Sequence, residues 1–157
     1  MDDPDGFYKV LKKDPTSVFL VPSLQDLDNT VSVIILNNDV PDQVKEVFEI
    51  AKKLFVFGYF KYQLFTVSAH YGFLAVEAAI GSKYTVKYGP NKIGFDERIK
   101  RLAKDGILPP EKQEIYEACR RLRNALSHLT EEKMVTPGSV PLQRTADLIN
   151  ELFPRSR

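Results

Sequence analysis

Residues 62–80 come nearest, in this 157-residue chain, to an uninterrupted apolar run. A membrane span needs about 20 such residues. This run, however, carries Gln63, Thr66, Ser68, His70 and Glu77. Lipid offers those side chains no partners, so the run reads as a helix buried by protein. The rest of the chain must supply what covers it.

From Pro41 onward the covering elements are readable. Pro41-Asp42 suits a helix start, and Val44, Val47, Phe48, Ala51, Leu54 and Phe55 recur at helical spacing. Gly58 marks a break. The spacing predicts a second helix over 59–80 ending at Gly81, then a polar loop over 82–94. A short helix is expected over 96–104, with Ile99 and Leu102 inward and Gly106 closing it. Pro109-Pro110 opens a long helix to about residue 129, TPGS at 136–139 makes a turn, and 140–153 is a final amphipathic helix.

Residues 1–39 read differently. The runs 17–21 (SVFLV) and 30–36 (TVSVIIL) are short and β-branched, which predicts strands or extended segments around a short helical turn at 24–27. The expected architecture is all-α: an antiparallel bundle of four to five helices over 40–157, with an irregular, partly extended N-terminal arm over 1–39.

Composition removes several function classes. A net charge of +1 gives no global field to attract nucleic acid, so any such binding must be local. Cys119 is the only cysteine, which excludes an internal disulfide and any cysteine-rich zinc site, and suits a reducing cytoplasm. The opening MDDPDG is unlike a secretory leader. No metal-ligand spacing, glycine-rich phosphate loop or nucleophile elbow occurs, so neither metal nor cofactor is expected.

The stretch 120–128 (RRLRNALSH) carries the most chemistry. On a helix at about 100° per residue with Leu122 at zero, Ile115, Ala118, Cys119, Leu126 and Leu129 fall within roughly 60° and define an expected core face. Asn124 and His128 lie near 200° and 240°, and Arg123 on the flank near 100°. Cys119 is expected as a buried small hydrophobe. On the apolar helix, Gln63, Thr66, His70 and Glu77 share a narrow stripe, most simply its wet face. Alternatively His70 or Glu77 borders a cleft and orients Arg123 or His128, with Glu77 suited to hold a guanidinium. The basic cluster Lys92, Arg98, Lys100, Arg101 and Lys104, interleaved with Asp96, Glu97 and Asp105, reads as a salt-bridged surface. Tyr84 and Tyr88, expected in the loop, could stack on bases.

The segment Arg123-Asn124-Ala125-Leu126-Ser127-His128 resembles the R-N-x-x-x-H signature of the HEPN superfamily (higher eukaryotes and prokaryotes nucleotide-binding). Val40-Pro41-Asp42-Gln43-Val44, Glu77-Ala78-Ala79-Ile80 and the link 100–109 (KRLAKDGILP) are also similar to its stand-alone bacterial members, so the resemblance spans roughly 40–130. It implies a helical bundle and a metal-independent endoribonuclease of the kind found in toxin and antiviral defence systems. Partners of minimal nucleotidyltransferases carry a tyrosine two positions after the histidine. Thr130 stands there in this chain, which disfavours control by modification at that position.

Arg123 and His128 diverge by roughly 140° around one helix, too far to close on one phosphate unaided. Two copies about a dyad would supply two of each to a shared cleft. In that arrangement His128 is the general base or acid, Arg123 clamps phosphate, Asn124 orients the scissile region or His128 at i+4, and Arg120 and Arg121 hold flanking phosphates. The expected partners are RNA, a second copy, and an antitoxin or other partner protein. The alternatives are a non-catalytic HEPN module binding RNA, nucleotide or a protein, and a plain helical dimerisation domain.

Overall fold

The computed structural model describes residues 12–18, 23–127 and 138–155. Seven α-helices occur among them: α1 (Pro15–Val18), α2 (Leu24–Ser32), α3 (Asp42–Phe57), α4 (Gln63–Tyr88), α5 (Phe95–Lys104), α6 (Gln113–Leu126) and α7 (Val140–Leu152), with a 3-10 turn at Pro110–Lys112 before α6. No strand occurs among the described residues. The fold is an all-α bundle.

Helix α4 is its axis. It packs against α3, α5, α6 and α7, and it buries Phe65, Ala69, Phe73, Val76, Ile80 and Tyr84 among others. Its length and composition alone would suffice to cross a membrane, but here protein covers it. Contacts give the directions. Ser68 on α4 donates to the carbonyl of Ala51 on α3 (2.8 Å), and further along both helices Phe65 reaches Gly58, so the two run antiparallel. Gly72 faces Leu142 and Thr145, and Lys83 lies over the Phe153 ring, so α7 runs parallel to α4. Tyr116 donates to the carbonyl of Leu148 (2.9 Å) and Lys112 pairs with Glu151 (2.9 Å), which sets α6 antiparallel to α7.

Breaks between helices follow local chemistry. At Gly58 the corner from α3 to α4 is tight enough that a Cβ would stand 2.5 Å from the Phe65 ring. Residues 14–17 seal that corner: Asp14 accepts from the backbone of Tyr62 (3.0 Å) and Ser17 donates to the carbonyl of Gly58 (2.8 Å). Helix α5 ends in a Schellman closure, with Gly106 at φ +68° donating to Ala103 and Ile107 donating to Leu102.

Three expectations need correction. Residues 30–32, expected in a strand, are helical within α2. Ser23 caps that helix by accepting from the Asp26 N–H (3.1 Å), and Leu27, Val31 and Ile34 reach the core at helical spacing. Residues 34–37 form neither helix nor strand, and part of 17–21 is helical, with 19–21 outside the described residues. Helix α4 also starts at Gln63, not 59, and continues through Gly81 to Gly89, whose φ of +77° ends it. Burial of Tyr84, one turn beyond Ile80, outweighs the poor helix propensity of glycine. Of the expected loop 82–94, only 89–94 is loop. Finally, the buried side of α6 carries Tyr116, Cys119 and Leu126, whereas Ile115 and Leu122 are 43% and 49% exposed. The core face is therefore turned by roughly 70° from the one centred on Leu122.

Gly58→Ala separates two effects of opposite sign. Restricting the unfolded chain stabilises by about 0.4–1 kcal/mol, while crowding the Phe65 ring costs about 1–3 kcal/mol. The ring is held edge-on by Phe55 and Tyr62, so crowding dominates. Denaturant unfolding of the variant should show a net loss of about 1–2 kcal/mol.

Candidate functional site

The rotation of α6 carries Arg123 from the flank of its helix to a half-buried position against α4. Its Nη2 donates to Oε1 of Glu77 at 2.8 Å, and its guanidinium lies 5.9 Å from the Phe95 ring centroid. Two turns earlier on α4, His70 faces Ser127, the residue that follows α6. Ser127 Oγ stands 3.3 Å from His70 Nε2 and donates to the carbonyl of Arg123 at 3.0 Å.

The polar stripe of α4 is thus not a wet face throughout. Gln63 is exposed, Thr66 is fully buried, and His70 and Glu77 are half-buried. Burial holds His70 below the usual histidine range; the nearby Arg123 cation adds to this and the Glu77 carboxylate opposes it. The imidazole is accordingly neutral at pH 7.

Of the other nominated residues, Asn124 and Arg121 are exposed and Arg120 is half-buried. Arg120 and Arg123 each bury an Nε that has no hydrogen-bond partner. Among the described residues only Arg123 of the three arginines has a carboxylate partner, so this turn of α6 carries local positive charge on a chain that is nearly neutral overall. His128, Leu129 and Thr130 lie outside the described residues.

Two further expectations resolve. Cys119 is buried, and burial pushes its thiol up to about 11, which leaves no thiolate at neutral pH. Tyr84 is 1% exposed and cannot stack on a base. Tyr88 instead donates to Asp105 (2.7 Å), which raises its hydroxyl to about 12. In the basic cluster, Lys100 pairs with Asp96 and Arg101 with Glu97, as a salt-bridged surface requires, but Arg98 does not join them.

The same rotation of α6 opens a feature that the sequence did not announce. Ile115, Ala118 and Leu122 face Val140, Pro141 and Leu148 across a groove of about 920 Å³ between α6 and α7. It lies on the opposite flank of α6 from Arg123 and is apolar, rimmed by Lys112, Arg144, Asp147 and Glu151. No group of three or more His, Cys, Asp or Glu side chains converges among the described residues as metal ligands would. Comparison of the chain with models of known families, with curated proteins and with solved structures finds no match.

A His70 pKa below its unfolded value of 6.5 means the unfolded chain binds the extra proton first. The stability conferred by neutral His70 is full above pH 6.5 and is lost as pH falls from there toward the folded-state pKa. His70→Gln should flatten the stability profile below about pH 6.5. In the same measurement series, NMR titration of Arg123→Ala should show the His70 pKa raised relative to wild type. A lowered or unmoved value would contradict the Arg123 contribution.

Proposed function

We propose that the chain is an RNA-directed protein of the HEPN type, a metal-independent endoribonuclease acting in the cytoplasm as a homodimer with a composite site. The observation that carries this reading is the Arg123–Glu77 ion pair beside His70 and Ser127. It holds a guanidinium in one orientation at the end of α6 where the R-N-x-x-x-H motif lies. A carboxylate fixing an arginine preorganises the fork that matches phosphate oxygens. Arg120 and Arg121, without a carboxylate partner among the described residues, supply a salt-sensitive hold on flanking phosphates.

In this reading His128 removes the proton from the 2′-hydroxyl, which attacks phosphorus. The partner protomer's equivalent histidine protonates the departing 5′-oxygen. Products are a 2′,3′-cyclic phosphate and a 5′-hydroxyl. Arg123 stabilises charge on the phosphorane, Asn124 orients the scissile region, and Glu77 and His70 are positioning residues. Toxin or antiviral defence roles fit such chemistry.

A second reading, a non-catalytic module that pairs with a protein, is favoured by the apolar groove between α6 and α7. An exposed concave apolar face of this kind suits an interface. The two readings separate cleanly. RNA incubated with chelator should be cut by wild type, and His128→Ala should cut about 100-fold to 10,000-fold more slowly. Arg123→Ala should lose activity comparably. Equal cleavage by wild type and His128→Ala would remove the catalytic assignment, and no cleavage by either would favour the binding module.

A further inference from the structure

Arg98 stands apart from the other cations of α5. Among the described residues no carboxylate pairs with it, and its Nε is buried without a hydrogen-bond partner. Its polar contact is one long hydrogen bond from Nη2 to the carbonyl of Asn91 (3.5 Å), and it lies 5.9 Å from the Tyr84 ring centroid. The fold has therefore not committed this guanidinium to an internal partner.

Its position is set by a glycine. A Cβ added at Gly81 would meet Arg98 Nη1 at 2.9 Å, so the bare turn of α4 is what admits the guanidinium. Glycine is among the poorest helix formers, and Gly81 lies well inside a 26-residue helix, so this close approach gives its presence a physical reason. Glu77 and Gly81 are one turn apart on the same face of α4, about 6 Å along the axis. Arg123 is fixed at the first and Arg98 at the second. Both Glu77 and Arg98 border a groove of about 760 Å³ that also includes Tyr71, Ser82 and Thr85.

Two guanidinium groups, one from α5 and one from α6, thus lie against successive turns of α4, where consecutive phosphates of a single strand could meet them. We propose that Arg98 binds the RNA backbone phosphate neighbouring the one at Arg123, with Gly81 as the gap that seats it. This rests on the RNA-directed reading above and extends its site from one phosphate to a two-phosphate track running along α4. Arg98 is unneutralised, whereas Glu77 offsets Arg123, so Arg98 contributes the larger share of the salt dependence.

The probe is a short fluorescein-labelled 2′-O-methyl oligouridylate, which cannot be cut through its 2′-oxygen. Binding to the full chain is followed by anisotropy from about 50 to 200 mM salt. Removing one phosphate contact should reduce the slope of log affinity against log salt by about 0.7, so Arg98→Ala should show that reduction together with weaker binding. Arg98→Lys should keep the slope. Gly81→Ala should melt no lower than wild type yet bind more weakly, because the new Cβ displaces the guanidinium. Unchanged affinity and slope in Arg98→Ala, while Arg123→Ala weakens binding, would overturn the role of Arg98 and leave the RNA reading standing. Wild type without salt-dependent binding would overturn both. Should Arg98→Ala fail to fold, unchanged binding by folded Gly81→Ala overturns the proposal.

Discussion

Everything in this fold answers to the need to cover α4. The helix is apolar on most of its circumference, and an isolated helix of that kind has no stable place in water. Four other helices meet it, and each contributes one large side chain or more to a single core: Phe48 from α3, Ile99 from α5, Tyr116 from α6 and Ile149 from α7 are all essentially without solvent contact. Because α4 is long, its neighbours are stacked along it, and its two sides serve different purposes. Ser68 and Gly72 are on the side packed against α3 and α7. His70, Glu77 and Gly81 are on the other, where they meet Ser127, Arg123 and Arg98.

That division explains how an ionisable cluster coexists with a dense core. Glu77 and His70 are half-buried, which is enough to strengthen their interactions above those of surface charges but not enough to leave them stranded. Arg123 reaches Glu77 only because α6 presents Tyr116, Cys119 and Leu126 inward. The apolar residues that this orientation leaves outside, Ile115 and Leu122, form one wall of the groove beside α7. One rotation therefore produces both surface features, the fixed arginine on one flank and the apolar groove on the other.

Much of the bundle was legible because its punctuation is strong. Pro41 and Pro109-Pro110 restrict the backbone where they stand, Gly106 takes the positive φ that closes α5, and Gly58 leaves room for the Phe65 ring at the corner. The errors arose where tertiary packing decides. Gly81 looks like a helix end in isolation, and only the burial of Tyr84 and the approach of Arg98 carry the helix through it. The β-branched run at 30–36 imitates a strand, although Ser23 and Asp26, three apart, already signalled a helix start. On α6, Leu122 is at the centre of the aliphatic face, yet Tyr116 takes the core position that Leu122 leaves. Tyr116 is buried with its hydroxyl satisfied by Leu148, which removes the usual objection. Glu77 could be nominated as a partner for Arg123 on chemistry alone. The approach of Ser127 to His70, 57 positions apart, left no trace in either local pattern.

The irregular segment before α3 has a different lesson. Asn37 donates its backbone N–H to Asn150 (2.7 Å) and its side-chain amide to the carbonyl of Phe153 (2.9 Å), and Asn150 donates to the carbonyl of Ile35 (3.0 Å). This clasp joins positions 113 or more residues apart. Contacts of such separation are the slowest to form, since the intervening chain must first be ordered. On a ribosome, the groups at 35–37 would wait in water until α7 had left the exit tunnel. Completion of the native state is thereby tied to the emergence of α7, and a chain cut short before α7 would lack the clasp.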